Sequence, residues 1–350
     1  MPILDLTRIT RPEVIAVLER IDKLRDESRE IFLFDPRNQT FNLESLWKKV
    51  MDANTRWFRG EKVAGLITPE EQRYLAGLHR FAVEYRADHL SDLNPIPGDV
   101  TIRAVDAGGV PAEWQIPPGA HESRTILYFH GGGYIMGSPH FTRSLSVKLA
   151  AATGMRALSV DYRLAPEHPF PAGVDDCVAA YRWLLESGVD SRYIVVAGDS
   201  AGGYLTVQTL LRARAHDLDL PACAICLSPA TDLALTGPSY LSNAPTDPVL
   251  ADLGIFWWVE AHLAGADPYD PAVSPLFADL AGLPPILIQV STTEMLLDDA
   301  RMFHRHASDR GTDVTVQTWE DTIHVFQQFD LPEAVDAVER IGEFIARWAR

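Results

Sequence analysis

Gly198-Asp199-Ser200-Ala201-Gly202 follows the apolar run Ile194-Val-Val-Ala197 and precedes a helical pattern. A serine with glycine two residues away on either side suits a very tight strand-to-helix turn. Such a turn lifts Oγ clear of the backbone, and the following helix sets its first N–H groups beneath developing negative charge. That is the local arrangement of a nucleophilic serine for acyl transfer. A glycine-rich turn with a helix-capping serine would share the pentapeptide, so the reading depends on what accompanies it.

His130-Gly131-Gly132-Gly133 follows a second apolar run, Thr125–Phe129. Attack on an ester carbonyl creates an oxyanion that needs two or three preorganised N–H donors, and consecutive glycines let the backbone come close enough to supply them. The donors are expected at Gly131, Gly132 and Ala201. A phosphate-cradling loop is the rival reading of these glycines and Gly137, but neither a Lys-Ser/Thr ending nor a dinucleotide spacing is present.

A serine hydroxyl also needs a base, and the base an orienting carboxylate. His324, in Asp321-Thr-Ile-His-Val-Phe326 just after the run Asp313–Trp319, is expected to be the base. His304 and His306 lie in a helical run whose charged neighbours mark a solvated face. The acid is sought just past the run Ile286–Val290, in Ser291-Thr-Thr-Glu-Met-Leu-Leu-Asp-Asp299. Glu294, at the loop-to-helix junction, is preferred to Asp298 about one turn later. The structural alternative for Glu294 is a carboxylate that complements a helix dipole.

These residues need elements to carry them. Strands are expected at 100–104, 112–115, 125–129, 156–160, 193–198, 222–227, 286–290 and 313–319. Helices fall between most of them, near 141–153, 173–187, 201–216, 294–310 and 332–349. Several strands are apolar on both faces, which indicates an α/β fold with a mainly parallel eight-stranded sheet covered by helices on each side. Residues 1–95 read as helical instead: Ile15, Leu18, Ile21 and Leu24 recur at helical spacing, as do Leu46, Val50 and Trp57. The cluster Asn94-Pro95-Ile96-Pro97-Gly98 marks the boundary with 96–350, and an insertion at about 237–282 carries Phe256, Trp257 and Trp258. Cys223 and Cys226 form a C-x-x-C in an apolar strand-like run. Residues three apart on a strand point to opposite faces, too far apart for a disulfide, and no second pair completes a metal site.

The 350 residues carry a formal net charge of −17 without a Lys/Arg cluster, which argues against nucleic acid or an anionic membrane as partner. No apolar run approaches a membrane span, and residues 1–29 lack the apolar region and cleavage site of a signal peptide. A soluble protein is expected, cytoplasmic by default.

His130-Gly-Gly-Gly-Tyr134, Asp161-Tyr-Arg-Leu-Ala-Pro-Glu167 and Gly198-Asp-Ser-Ala-Gly-Gly203 together resemble the hormone-sensitive-lipase family, bacterial esterase family IV, of the α/β-hydrolase fold. The resemblance covers roughly residues 95 to 350. It implies carboxylic-ester hydrolysis without a cofactor or metal, a Ser200–Glu294–His324 triad, an N-terminal helical cap and a homodimer formed through the sheet edge. The family usually shows Asp-Pro-Leu-x-Asp at the acid, where this chain has Glu294-Met-Leu-Leu-Asp298. His130 and Tyr134 are expected to support the oxyanion loop, and Asp161, Arg163 and Glu167 to brace the scaffold. Pocket walls are expected from Tyr134, Asp199, Trp57, Trp257 and Trp258; these tryptophans would equally serve as glue between cap and core. The substrate expected is a short-chain or bulky apolar ester. A lactone hydrolase would use the same triad, and amide hydrolysis is a third chemistry. A small-ligand receptor on this scaffold characteristically lacks the catalytic histidine, which is present here.

Overall fold

A computed structural model describes residues 9–349 apart from 62, 91, 92, 94, 97 and 98. Asn94, Pro97 and Gly98 of the expected boundary therefore lie outside the described residues. The eight expected strands all form: β1 (Thr101–Asp106), β2 (Pro111–Ile116), β3 (His121–Phe129), β4 (Met155–Val160), β5 (Ile194–Asp199), β6 (Cys223–Leu227), β7 (Ile286–Ser291) and β8 (Val314–Trp319). They make one sheet in the order β1-β2-β4-β3-β5-β6-β7-β8. β2 runs antiparallel to β1 and β4, and every pair from β4 to β8 is parallel.

The parallel strands are apolar on both faces because helices cover both. Ile126, Tyr128 and Val195 pack beneath α4 (Pro139–Thr153) and α10 (Pro332–Trp348). Leu127, Phe129 and Val196 pack beneath α5 (Ala172–Glu186) and α6 (Ala201–Ala215), and Ile286 and Ile288 beneath α6 and α9 (Leu297–Ser308). Cys223 and Cys226 fall on opposite faces, both as buried free thiols, as the strand period requires.

Among the described residues three α-helices precede the sheet: α1 (Pro12–Phe34), α2 (Leu43–Phe58) and α3 (Pro69–His89). Their starts are written in the sequence. Asn42 caps α2, and Thr68 with Glu71 forms a capping box on α3, so the first N–H groups find acceptors. α1 differs in its buried face from the expected stripe. Ile15 is exposed, whereas Val14, Val17 and Leu18 pack against Ile323, Phe326 and Ala334, beside the loop that carries His324. The insertion contributes α7 (Ser239–Ser242) and α8 (Ile255–Leu263), and α8 packs on α2 and α3. Among the described residues no helix is long and apolar enough to cross a membrane.

Candidate active site

Ser200 stands between β5 and α6 at φ 54° and ψ −117°, a strained conformation for a side-chain-bearing residue. The turn closes only because its neighbours are small. A Cβ at Gly202 would overlap the Phe129 carbonyl, and one at Gly198 would overlap the carbonyl of Gly202. The Ser200 N–H donates to the Leu227 carbonyl at 2.7 Å, which ties the turn to the end of β6. The strain is therefore held from both adjacent strands.

Glu294 and His324 come together in the structure. Glu294 lies in the turn after β7, three residues before α9 begins, and has no accessible surface. Its Oε2 stands 2.6 Å from His324 Nδ1, and its Oε1 accepts the Ser291 N–H at 3.0 Å. Asp298 faces elsewhere: it accepts the Ser239 N–H at 2.8 Å and pairs with Arg301. Burial alone would lower the basicity of His324, but Glu294, with Asp247 and Asp199 behind it, carries the imidazole above its ordinary value. In this conformation no hydrogen bond joins His324 Nε2 to Ser200 Oγ. Such contacts commonly tighten only around bound substrate.

The glycine loop departs from expectation at one donor. The Gly131 N–H is engaged at 3.1 Å by Oδ1 of Asp199, which also accepts the Tyr128 hydroxyl at 2.6 Å. The Gly131 N–H thus already has an acceptor in this structure. Among the described residues no acceptor takes the N–H of Gly132, Gly133 or Ala201. Gly132 adopts φ 122°, open to glycine, and its carbonyl accepts the N–H groups of Ile135 and Met136 in the turn that follows. His130 supports the loop from below through its Nδ1, near the Gly131 carbonyl and the Tyr162 hydroxyl. Burial holds this imidazole down at about 4, so it stays neutral.

Of the expected pocket residues, Tyr134 and Trp258 line the chamber that contains Ser200, with Leu233, Leu235, Leu250 and Val259. Trp57 instead stacks on Phe256 with ring centroids 4.7 Å apart. Trp257 is wholly buried against His79. Both glue the N-terminal helices to the insertion. Asp199 is also removed from the pocket wall, because its carboxylate is turned beneath the glycine loop. The chamber is narrow, about 20 Å³, on the scale of one water. Two larger hollows among the N-terminal helices do not reach Ser200.

Three features were not singled out in the sequence: Gly133, Arg80 and the Ser291–Thr293 pair. Gly133 was within sight as the third glycine of its run. Arg80 of α3 donates to the Ile135 carbonyl at 2.7 Å and pairs with Glu167, bracing the glycine loop from the N-terminal helices. Ser291 and Thr293 both donate to the Thr322 carbonyl, fixing the His324 loop against β7. The last two depend on long-range contacts that no local pattern announces.

A family model described as alpha/beta hydrolase fold matches residues 126–328. The chain is 42% identical to an acetyl-hydrolase of Streptomyces hygroscopicus over 268 residues, 76% of this chain and 88% of that protein. It is 36% identical to an esterase of Acinetobacter venetianus over 260 residues, 73% of this chain and 86% of that protein. A solved esterase from the bacterial hormone-sensitive lipase family superposes with a TM-score of 0.72 at 39% identity, covering 89% of this chain and 100% of that one. An eight-stranded sheet with a serine elbow at the end of β5, matched at this level of identity, leaves one assignment: the chain is a carboxylic ester hydrolase and belongs to the hormone-sensitive-lipase family of the α/β-hydrolase fold.

Proposed function

We propose that this enzyme hydrolyses esters of short or bulky apolar acids through an acyl-enzyme on Ser200. The observation that carries the reading is the 2.6 Å contact of Glu294 with His324 Nδ1, on a loop whose Val325 N–H donates to the Ser228 hydroxyl, one residue past the Leu227 carbonyl that holds the Ser200 N–H. Glu294 fixes the tautomer that leaves Nε2 free to take a proton.

His324 removes the Ser200 proton as Oγ attacks the ester carbonyl. The oxyanion is met by the N–H groups of Gly132, Gly133 and Ala201, which have no acceptor of their own. His324 then gives its proton to the departing alcohol. Water, deprotonated by the same imidazole, attacks the acyl-enzyme and releases the acid. The strength of these donors comes from being preorganised before charge develops. Support for a short acyl group is the tight chamber walled by Tyr134, Trp258 and Leu233.

Hydrolysis of p-nitrophenyl esters from two to sixteen carbons, by wild type and Ser200→Ala, tests the reading. Activity that peaks at short acyl chains and vanishes in the variant is expected. A folded wild type inert on every ester, yet labelled at Ser200 by a fluorophosphonate, would move the assignment to lactones or amides.

A further inference from the structure

The turn that carries Glu294 is gripped from the insertion. Asn243 Nδ2 donates to the carbonyls of Thr292 at 3.0 Å and Glu294 at 2.9 Å. Thr246 Oγ1 donates to the Thr293 carbonyl at 3.1 Å. Asp247, with no accessible surface, accepts the Val249 and Leu250 N–H groups on Oδ1, each at 2.9 Å. Its Oδ2 accepts the N–H of Met295, the residue next to Glu294, at 2.8 Å.

A carboxylate is an expensive choice for that position if its only task is to hold backbone. Three N–H donors stabilise it, but it lies buried near a second carboxylate, Glu294, and no Lys or Arg pairs with it among the described residues. Burial and Glu294 both work against its charge, and His324 is the charged group that favours it, alongside the backbone N–H donors. A neutral acceptor could satisfy the same N–H groups without that conflict. The charge makes physical sense when His324 itself becomes positive, which happens as it accepts the Ser200 proton. An interaction stronger in the transition state than in the resting enzyme accelerates the reaction.

Building on the triad reading above, we propose that Asp247 is a positioning residue of the reaction. It fixes the turn of Glu294 and places a second buried negative charge behind His324, favouring the imidazolium that forms during attack. The insertion, which walls the pocket through Leu250 and Trp258, is thereby coupled to the triad acid through Asn243, Thr246 and Asp247.

The groups facing His324 are Glu294 from the turn after β7, Asp247 from the insertion and Asp199 from the end of β5. Removing the charge at Asp247 alone leaves the other two in place. The test is the pH profile of kcat/KM for p-nitrophenyl acetate with Asp247→Asn and Asn243→Ala, both checked for fold by circular dichroism. Asp247→Asn is expected to lose roughly 10-fold or more in kcat with KM little changed. Its acid limb should move to lower pH by roughly half a unit to one unit, because the imidazolium has lost a neighbouring negative charge. Asn243→Ala removes grip without charge, so it should lower kcat and leave the limb in place. Asp247→Ser, smaller and neutral, is read in the same way if the asparagine variant does not fold.

An acid limb unmoved in a folded, neutral Asp247 variant would overturn the proposal and leave Asp247 a structural cap. Glu294→Gln and His324→Ala are run alongside. If those two retained full activity, the triad reading itself would fall, a different result from failure at Asp247 alone.

Discussion

Asp199 holds the N–H of Gly131 at 3.1 Å, so the residue before the nucleophile clamps the loop that faces it. The same carboxylate takes the Tyr128 hydroxyl at 2.6 Å, and burial pushes its pKa up to about 6. The folded chain therefore binds this proton more tightly than the unfolded chain, whose carboxyl titrates near 3.8. The stability contributed by the bound proton is present at pH 4 and below and is lost as pH rises through about 6. Asp199→Asn, which carries no charge, should gain on the wild type by on the order of 2 kcal/mol above pH 7. The difference should shrink as pH falls towards 4. Thermal melts of both proteins at pH 5 and pH 8 measure it, and a gain equal at both pH values would rule out the buried charge as its source.

Glu294 and Asp298 separate cleanly by mutation. His324 must be neutral to act as base, and its neighbours raise it above its ordinary 6.5, so activity should climb with pH along a limb centred above that value. Glu294→Gln should lower kcat by about 10³-fold and move the limb downward, since the largest opposing influence to burial is gone. Asp298→Asn should stay within a few-fold of wild type, because that carboxylate serves Ser239 and Arg301. The pH profiles of both variants decide between the two carboxylates.

Under the proposed reading, Trp258 is the wall against which acyl length is measured. It lines the Ser200 chamber, and its ring packs so close to Gly133 that a Cβ there would overlap it. Trp258→Leu should enlarge the chamber and raise the ratio of kcat/KM for octanoyl over acetyl esters by about 10-fold, the scale of one or two methylenes newly accommodated. Competition between the two p-nitrophenyl esters reads this directly. A ratio that stays put would place the acyl group elsewhere.

Thr10 ties the start of the N-terminal helices to the His324 loop. Its N–H and hydroxyl both donate to the Asp321 carboxylate at 2.7 Å, and Asp321 adopts φ 55°. Thr10→Val removes the hydroxyl bond and should cost about 1–2 kcal/mol in stability. A modest loss of kcat without a shift in the acid limb is expected, since no charge near His324 changes. Urea unfolding and steady-state kinetics on the same preparation check both.

Much of this was legible because strand and catalytic signals are local. Ile126 to Phe129 and Ile194 to Ala197 are apolar at every position, and only a strand buried on both faces explains that. The Ser200 turn announces itself because its glycines answer clashes with Phe129 and Gly202. What stayed hidden depends on contacts across the chain. Which glycines of the loop keep an N–H without an acceptor turns on Asp199, 68 residues downstream of Gly131. Trp57, Trp257 and Trp258 are alike in composition, and only packing makes the first two glue and the third a pocket wall. Ile15 fits the helical stripe of α1 but is exposed, because the partner surface around Ile323 and Phe326 selects Val14, Val17 and Leu18.

The proposed acyl-enzyme rests on Ser200 as nucleophile and His324 as its base. The most direct measurement is intact-mass and peptide mapping after brief exposure to a fluorophosphonate, for wild type, Ser200→Ala and His324→Ala. One adduct on the peptide carrying Ser200 is predicted in the wild type, none in Ser200→Ala, and labelling slowed by about 10³-fold or more in His324→Ala. An adduct on any other residue, or equal labelling rates in wild type and His324→Ala, would rule out Ser200 activated by His324.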